Sequence, residues 1–426
     1  MISSLKLVRW GLLAIVAIMP FHALLTIWAG DIFGYQMLFQ AWKEIVIAII
    51  TAILLVAIVR KPDLRTRLKN PLIYLIAAYM LLSIVITLIT SPPLLPALVG
   101  FKTNIAMLMV FVAAYLVSTM KFKHNAVKTF MVASSVVIGF GLLQAYLLPK
   151  DFLSNFGYGP ETLAPFTLVD PAIEAIRISS TIGGANQLGA FLILPICLAM
   201  GFMFKNFRWW QPFFIASGLI VVWNTYSRSA LIGALVGLLI TAILSLKKNL
   251  RLPLLLAAVI SAAVLIELVI YLAPKGDLEY YVFHQSIENT NGKGSTDLHQ
   301  VALQQSIEKI QSHPWGEGLG TAGPSSFYSD KVFVPESWYL QLGVEVGVIG
   351  MLLFIAIQIM LALQLWKVNS KIIIAPALIG AMVGVGTVNF FLHGWADSST
   401  ALTFWTIAGA SLGAGLYAKN SKVVAK

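Results

Sequence analysis

Twelve apolar stretches, each close to the length of a membrane-spanning helix, follow one another along this chain of 426 residues. A spanning helix needs about 20 mostly apolar residues to cross roughly 30 Å of hydrocarbon. In that medium the backbone must satisfy its own hydrogen bonds, which a helix does within one segment. The stretches cover residues 7–29, 38–59, 71–90, 97–118, 126–148, 186–204, 211–226, 229–246, 252–273, 337–366, 371–392 and 399–418.

The composition excludes a soluble protein. Hydrophobic residues make up 58% of the chain and charged residues 11%, with a mean hydropathy of +0.85. A water-exposed globule of this composition would carry large apolar patches. We therefore predict an all-α, polytopic membrane protein with about 12 transmembrane helices, which form a single transmembrane domain over residues 1–426. The only cysteine, Cys197, can form no intramolecular disulfide and no cysteine metal cluster.

The basic residues between the stretches orient the chain. With a cytoplasmic N-terminus, most of the 29 lysine and arginine residues lie in cytoplasmic loops or at the two termini, as the positive-inside rule requires. The net charge of +11 is then explained by topology and by contact with anionic membrane lipids, and no nucleic-acid partner is expected. Two long segments, 149–185 and 274–335, are predicted to be extracytoplasmic. In the second, apolar residues from Leu298 to Ile310 recur at helical spacing and predict an amphipathic helix.

Two arginines stand at the predicted outer face, next to apolar stretches. Arg228 lies in TYSRSALIG, residues 225–233, and Arg177 begins RISSTIGGANQLGAFL, residues 177–192. A guanidinium can bind a phosphate through two parallel hydrogen bonds. For each of the two arginines, the alternative is a side chain that only reaches toward lipid head groups. The glycine-rich segment GEGLGTAG, residues 316–323, is either a phosphate cradle or a plain turn.

Four of these segments, taken in order, resemble one known family. RISSTIGGANQLGAFL, TYSRSALIG, HPWGEGLG and PESWYLQLGVEVGVIG are similar to the motifs of the O-antigen ligase and polymerase superfamily. The resemblance is carried by residues 177–350, and the flanking helices match only in number and hydropathy. It implies a glycosyltransferase of the bacterial cytoplasmic (inner) membrane that acts at the extracytoplasmic face.

In this family a glycan moves from an undecaprenyl-diphosphate carrier to an acceptor hydroxyl on a glycan, a lipid or a protein. The resemblance implies no metal and no other cofactor. It assigns Arg228 and Arg177 to the diphosphate, whose developing negative charge fixed cations would stabilise. The acceptor hydroxyl must lose a proton, so a general base is also required.

The sequence departs from the family pattern where many ligases have the histidine that is taken as the base. Glu336 occupies that position, three residues before Tyr339. A carboxylate can also accept a proton, so Glu336 is our first candidate for the base; the alternative is a carboxylate that favours a helix N-terminus. His299 stands where many relatives have an arginine, and it is the second catalytic candidate beside a passive surface role.

Two further residues near the last outer turn complete the candidate set. His393 and Asp397 form either a structural pair or part of the path of the acceptor. The departure at Glu336 weakens the ligase interpretation and favours a polymerase or another transferase of the superfamily. The main alternative is a polytopic transporter or flippase of lipid-linked glycans, because many helices and outer arginines suit that class as well.

Overall fold

The structure is a computed structural model and describes residues 4–170, 173–247, 249–253, 255 and 295–417. Helices dominate this part of the chain. Short 3-10 turns lie at Met19–Phe21, Phe152–Phe156, Gly323–Tyr328 and Gly394–Ala396. The α-helices are α1 Ser4–Ile18, α2 His22–Phe33, α3 Gln36–Gln40, α4 Trp42–Arg60, α5 Pro62–Leu68, α6 Pro71–Thr90, α7 Leu94–Val117, α8 Met120–Tyr146, α9 Ala185–Lys205, α10 Trp210–Asn224, α11 Arg228–Ser245, α12 Ser295–Ser312, α13 Trp338–Lys367, α14 Ala375–Val388 and α15 Ser398–Tyr417.

Eleven of the twelve predicted stretches contain a helix, and the twelfth, 252–273, lies outside the described residues apart from its first positions. Among the described residues, eight helical segments are long and apolar enough to cross a membrane. The helices α10 and α14 have only 15 and 14 residues, and α15 is rich in Ser, Thr and Gly. An all-α polytopic membrane protein is therefore confirmed, whereas the number of 12 spans is not.

The two predicted outer segments contain structure of their own. Residues 149–185 hold a two-stranded antiparallel hairpin, β1 Thr167–Asp170 and β2 Ile173–Arg177, which the all-α prediction did not include. The predicted loop helix is present as α12, and it ends directly before His313-Pro314. A proline disfavours helical backbone in the residue before it, which explains this end.

Contacts between helix ends that are distant in the sequence identify two ends of the bundle. We call one of them the basic end; there Arg9 Nε donates to the Val117 carbonyl at 2.8 Å. The other is the site end. There the Pro20 carbonyl accepts from Thr181 just before α9, and the Met19 carbonyl accepts from Ser399 in α15, at 2.7 and 2.9 Å. The charge bias predicts that the site end is extracytoplasmic.

Small residues bring α11 and α14 into close contact. A Cβ atom on Gly233 would lie 2.6 Å from the Gly384 carbonyl oxygen, and one on Gly380 would lie 2.5 Å from the Gly237 carbonyl oxygen. Spacing by four residues puts both glycines of each helix on one face, the arrangement that allows membrane helices to approach closely. This contact, the glycine crossing, fixes the start of α11 relative to the loop that follows α14.

Candidate functional site

Arg177 lies at the end of β2 and connects three elements of the site end. Its Nε donates to the Thr225 carbonyl at 3.0 Å, and a terminal nitrogen donates to Oδ1 of Asn186 at 2.7 Å. The Ile178 backbone N–H also donates to the Asn224 carbonyl at 3.2 Å. One guanidinium thus joins the hairpin, the first turn of α9 and the turn between α10 and α11.

Arg228 is the first residue of α11 and follows a tight turn. Tyr226 has a φ of +51°, which is uncommon for a residue other than glycine, and the Ser227 N–H donates to Oγ1 of Thr225 at 3.2 Å. The Arg228 side chain is exposed. Because a helix N-terminus carries positive partial charge, the start of α11 and the Arg228 guanidinium both favour an anion here.

The two arginines influence each other. Burial and, second, the positive charge of Arg228 lower the pKa of Arg177 from its ordinary value. Arginine nevertheless stays protonated in proteins, so two like charges repel each other in a partly buried place. A bound anion would remove that repulsion. The structure therefore brings together the two residues that the sequence assigned to a diphosphate.

Glu336 lies just before α13, in a segment held by the loop after α14. Oγ of Ser337 and the backbone N–H of Trp338 both donate to the Asn389 carbonyl, each at 3.0 Å. The Trp338 side chain is completely buried and meets the Phe354 ring with 6.1 Å between ring centroids. The backbone on which Glu336 stands is therefore firmly placed, and its side chain is partly exposed.

His393 comes to the same segment from the loop after α14. Its ring donates to the Pro335 carbonyl, next to Glu336 in the chain. Nε2 of the ring is buried and has no hydrogen-bond partner among the described residues. Burial lowers the pKa of His393 to about 4, so the imidazole is neutral at pH 7 and Nε2 can accept a proton.

Asp397 lies in a different environment from His393, because its hydrogen bonds go to the first turn of α15. Its Oδ2 accepts from the Thr400 backbone N–H at 2.8 Å, and its carbonyl accepts from the Ala401 N–H at 2.9 Å. Burial raises the pKa of Asp397. Within the described residues no hydrogen bond or ion pair joins it to His393. Asp397 thus caps the start of α15, and the choice between a structural pair with His393 and a path for the acceptor stays a prediction.

His299 belongs to the first turns of α12, and its side chain lies outside the described residues. In the rest of this helix Ser306 is buried, whereas Val301, Leu303 and Ile307 are between 38% and 47% exposed. The contact of α12 with α13 includes Ile310, whose Cδ1 would lie 2.6 Å from a Cβ atom on Gly343. The predicted role of His299 stays a prediction.

The sequence analysis missed a buried carboxylate in α13. Glu345 has no exposed surface, and its Oε2 accepts from Asn104 in α7 at 2.9 Å and from Gln341 at 3.2 Å. Its Oε1 accepts from the Gly320 backbone N–H at 2.8 Å. An ionisable residue inside a predicted span is itself a signal of function, and it could have drawn attention to Glu345.

The glycine-rich segment 316–323 is a turn inserted against a break in α13. Gly347 has a φ of +71°, which interrupts the helix. The Val348 N–H then donates to the Pro314 carbonyl at 3.0 Å, and the Gly318 N–H donates to the Glu345 carbonyl at 2.9 Å. The backbone N–H groups of this turn already donate to acceptors within the protein. The plain turn is therefore favoured over a phosphate cradle.

A second polar cluster that the sequence analysis missed lies at the site end. Nζ of Lys43 is 2.9 Å from Nε2 of His22 and 3.3 Å from Oε1 of Glu44. Nζ of Lys102 is 3.5 Å from the same Glu44 oxygen. The Lys43 side chain is almost completely buried, and Asp397 interacts with it electrostatically. Lys43, Glu44 and Lys102 were visible in the sequence as charges near the starts of two apolar stretches. The sequence did not show that they lie next to one another.

We expect Glu345→Ala to destabilise the fold, because the Gly320 N–H and the Asn104 amide would lose their acceptor inside the protein. Each buried group left unsatisfied costs about 1–3 kcal/mol. Thermal unfolding of the detergent-solubilised protein measures the effect. Glu308→Ala is the matched control, since Glu308 is exposed on α12 and should tolerate the change. Equal unfolding temperatures for both variants would contradict the anchoring role of Glu345.

One known protein family is similar to part of this chain. Residues 212–355 match the family model described as O-antigen ligase. This match covers about a third of the chain and supports its resemblance to the O-antigen ligase and polymerase superfamily. The match contains Arg228, Glu336 and Glu345, whereas Arg177 and His393 lie outside it. None of the curated proteins compared with the chain matches it.

The match to the O-antigen ligase family supports a coarse function. The protein has a role like that of a membrane glycosyltransferase in polysaccharide biosynthesis, with a lipid-linked glycan and an acceptor as the general class of partners. Its apolar helices agree with a multi-pass membrane protein.

Proposed function

We propose that this protein is a member of the O-antigen ligase superfamily and transfers a glycan from an undecaprenyl-diphosphate carrier to an acceptor hydroxyl at the extracytoplasmic face of the bacterial inner membrane. The observation that carries the proposal is the pair of Arg177, which contacts the first turn of α9, and Arg228, which begins α11. Fixed cations and a helix N-terminus at one point suit an anionic leaving group.

In the proposed reaction the acceptor oxygen forms a bond to the anomeric carbon, and the bond from that carbon to the carrier diphosphate breaks. The diphosphate leaves with the electron pair of the broken bond, and Arg177 and Arg228 stabilise its charge. The hydroxyl proton passes to Glu336, the proposed base. His393 lies on the acceptor side, where its neutral ring approaches the same segment.

The glycine crossing supports placing both halves of this reaction in one site. Gly233, near the start of α11, contacts Val388 at the end of α14. The next residue, Asn389, accepts the hydrogen bonds from Ser337 and Trp338. Arg228 and Glu336 therefore stand at the same end of the bundle, connected by few intervening contacts.

The choice among transferases follows from the residue at position 336. A carboxylate where many ligases have a histidine favours a polymerase or another transferase of the superfamily. A flippase of lipid-linked glycans is the second candidate, since the arginine pair would suit binding of its diphosphate too. A flippase, however, would not need a general base beside the firmly held start of α13.

Reconstitution with a lipid-diphosphate glycan separates the two candidates. We expect the purified protein in vesicles to convert the carrier-linked glycan into a product with a new glycosidic linkage and to release the carrier diphosphate, as mass spectrometry of the extracted lipids would show. The matched control is the Arg228→Ala variant. Movement of unchanged donor between leaflets without a new linkage would instead support the flippase.

A further inference from the structure

A groove of about 710 Å³ lies between α1 and α8. It begins at the basic end, at Lys6 and Lys121, and extends along both helices as far as Phe21 and Val136. Trp10 and Val136 in its lining are 68% and 52% exposed, so the groove opens on the outer surface that faces lipid.

The groove is strongly positive at one end. Lys6, Arg9, Lys121 and Lys128 line it, and no aspartate or glutamate does. In the described part of the chain none of these four cations forms an ion pair with a carboxylate. The hydrogen bond from Arg9 to the Val117 carbonyl holds its guanidinium beside the groove. Four uncompensated cations in one place favour an anionic ligand.

The rest of the groove is largely apolar and long. Its lining on α8 runs from Lys121 to Val136, which corresponds to roughly 22 Å along a helix that rises 1.5 Å per residue. That is about two thirds of the hydrocarbon thickness of a bilayer. A ligand that fills it must therefore combine a negative head at the basic end with a long apolar tail.

We propose that this groove binds an anionic phospholipid from the leaflet at the basic end. The phosphate lies among the four cations, and one acyl chain lies between α1 and α8. A zwitterionic lipid would compensate the cations less well, and a free phosphate would leave the apolar part empty. This binding site does not depend on the proposed transfer reaction, and its test does not use glycosyl transfer.

Native mass spectrometry of the full-length protein, released from nanodiscs that contain phosphatidylglycerol and phosphatidylcholine, tests the proposal. We expect the unaltered protein to retain phosphatidylglycerol preferentially. The triple variant Lys6→Gln, Lys121→Gln, Lys128→Gln should lose at least about tenfold in retention. The matched control is Lys69→Gln, Lys205→Gln, Lys247→Gln, which removes three exposed cations from the same end outside the groove and should change retention little.

Two further measurements identify the ligand. Val136→Trp places a bulky ring in the apolar part, so it should lower phosphatidylglycerol retention although all four cations remain. Millimolar inorganic phosphate should not displace the lipid. Equal losses in the groove and control variants, equal retention of phosphatidylcholine, or displacement by phosphate would each overturn the proposal; the last would indicate an anion site without a lipid.

Discussion

Glu336→Gln is expected to lower turnover by about a hundred- to ten-thousand-fold, the range that positioned general bases contribute. The amide has nearly the same size as the carboxylate but cannot take the proton of the acceptor hydroxyl. Steady-state transfer with a purified carrier-linked glycan measures turnover, and equilibrium binding of the donor shows whether the site is still formed. Glu161→Gln is the matched control, because Glu161 is an exposed carboxylate of the outer segment.

The variant Glu336→His sharpens this test. It should recover part of the turnover, with a pH profile that moves toward the histidine pKa of about 6.5. His393 would not produce such an inflection, because burial lowers its pKa to about 4 and the ring is already neutral above that value. Normal turnover in the Gln variant with donor still bound would reject Glu336 as the base, and His393 and His299 would then be replaced in turn.

Arg228→Lys should reduce transfer by about thirty- to a thousand-fold although the positive charge remains. The lysine ammonium is a point charge, and it cannot reproduce the two parallel hydrogen bonds that a guanidinium makes to a phosphate. Loss of one such interaction in a transition state corresponds to about 2–4 kcal/mol. We expect the loss mainly in the step that breaks the bond to the carrier diphosphate, which single-turnover kinetics would measure.

Arg208→Lys is the control for this variant, because Arg208 is exposed near the start of α10, at the basic end. It should retain full activity. Near-normal transfer by a correctly folded Arg228→Lys protein would favour an arginine that merely reaches toward lipid head groups.

The sequence predicted the parts of this molecule that depend on local composition. Long apolar runs gave the helices, and proline after His313 gave the end of α12. Arg177 and Arg228 were recognisable because cations beside apolar stretches are conspicuous. For α15 hydropathy was a weaker guide, since this helix packs inside the protein and carries Ser, Thr and Gly where a lipid-facing helix carries leucine.

Contacts between distant parts of the chain could not be predicted. The ring of His393 meets Pro335 only because α13 and α14 pack side by side. Glu345 meets Gly320 only because α13 breaks at Gly347 and admits the glycine-rich turn. Apolar stretches contain no information on which helices are neighbours, so candidate site residues could be predicted without their partners.

The glycine crossing has a consequence for genetics. Any side chain at Gly233, Gly237, Gly380 or Gly384 meets the backbone or a side chain of the facing helix and forces α11 and α14 apart. Such a change would separate Arg228 from the loop that holds Glu336, although no altered atom touches a substrate. Mutations recovered at these four glycines would therefore imitate active-site defects, and an inactive allele there is no evidence of a chemical role.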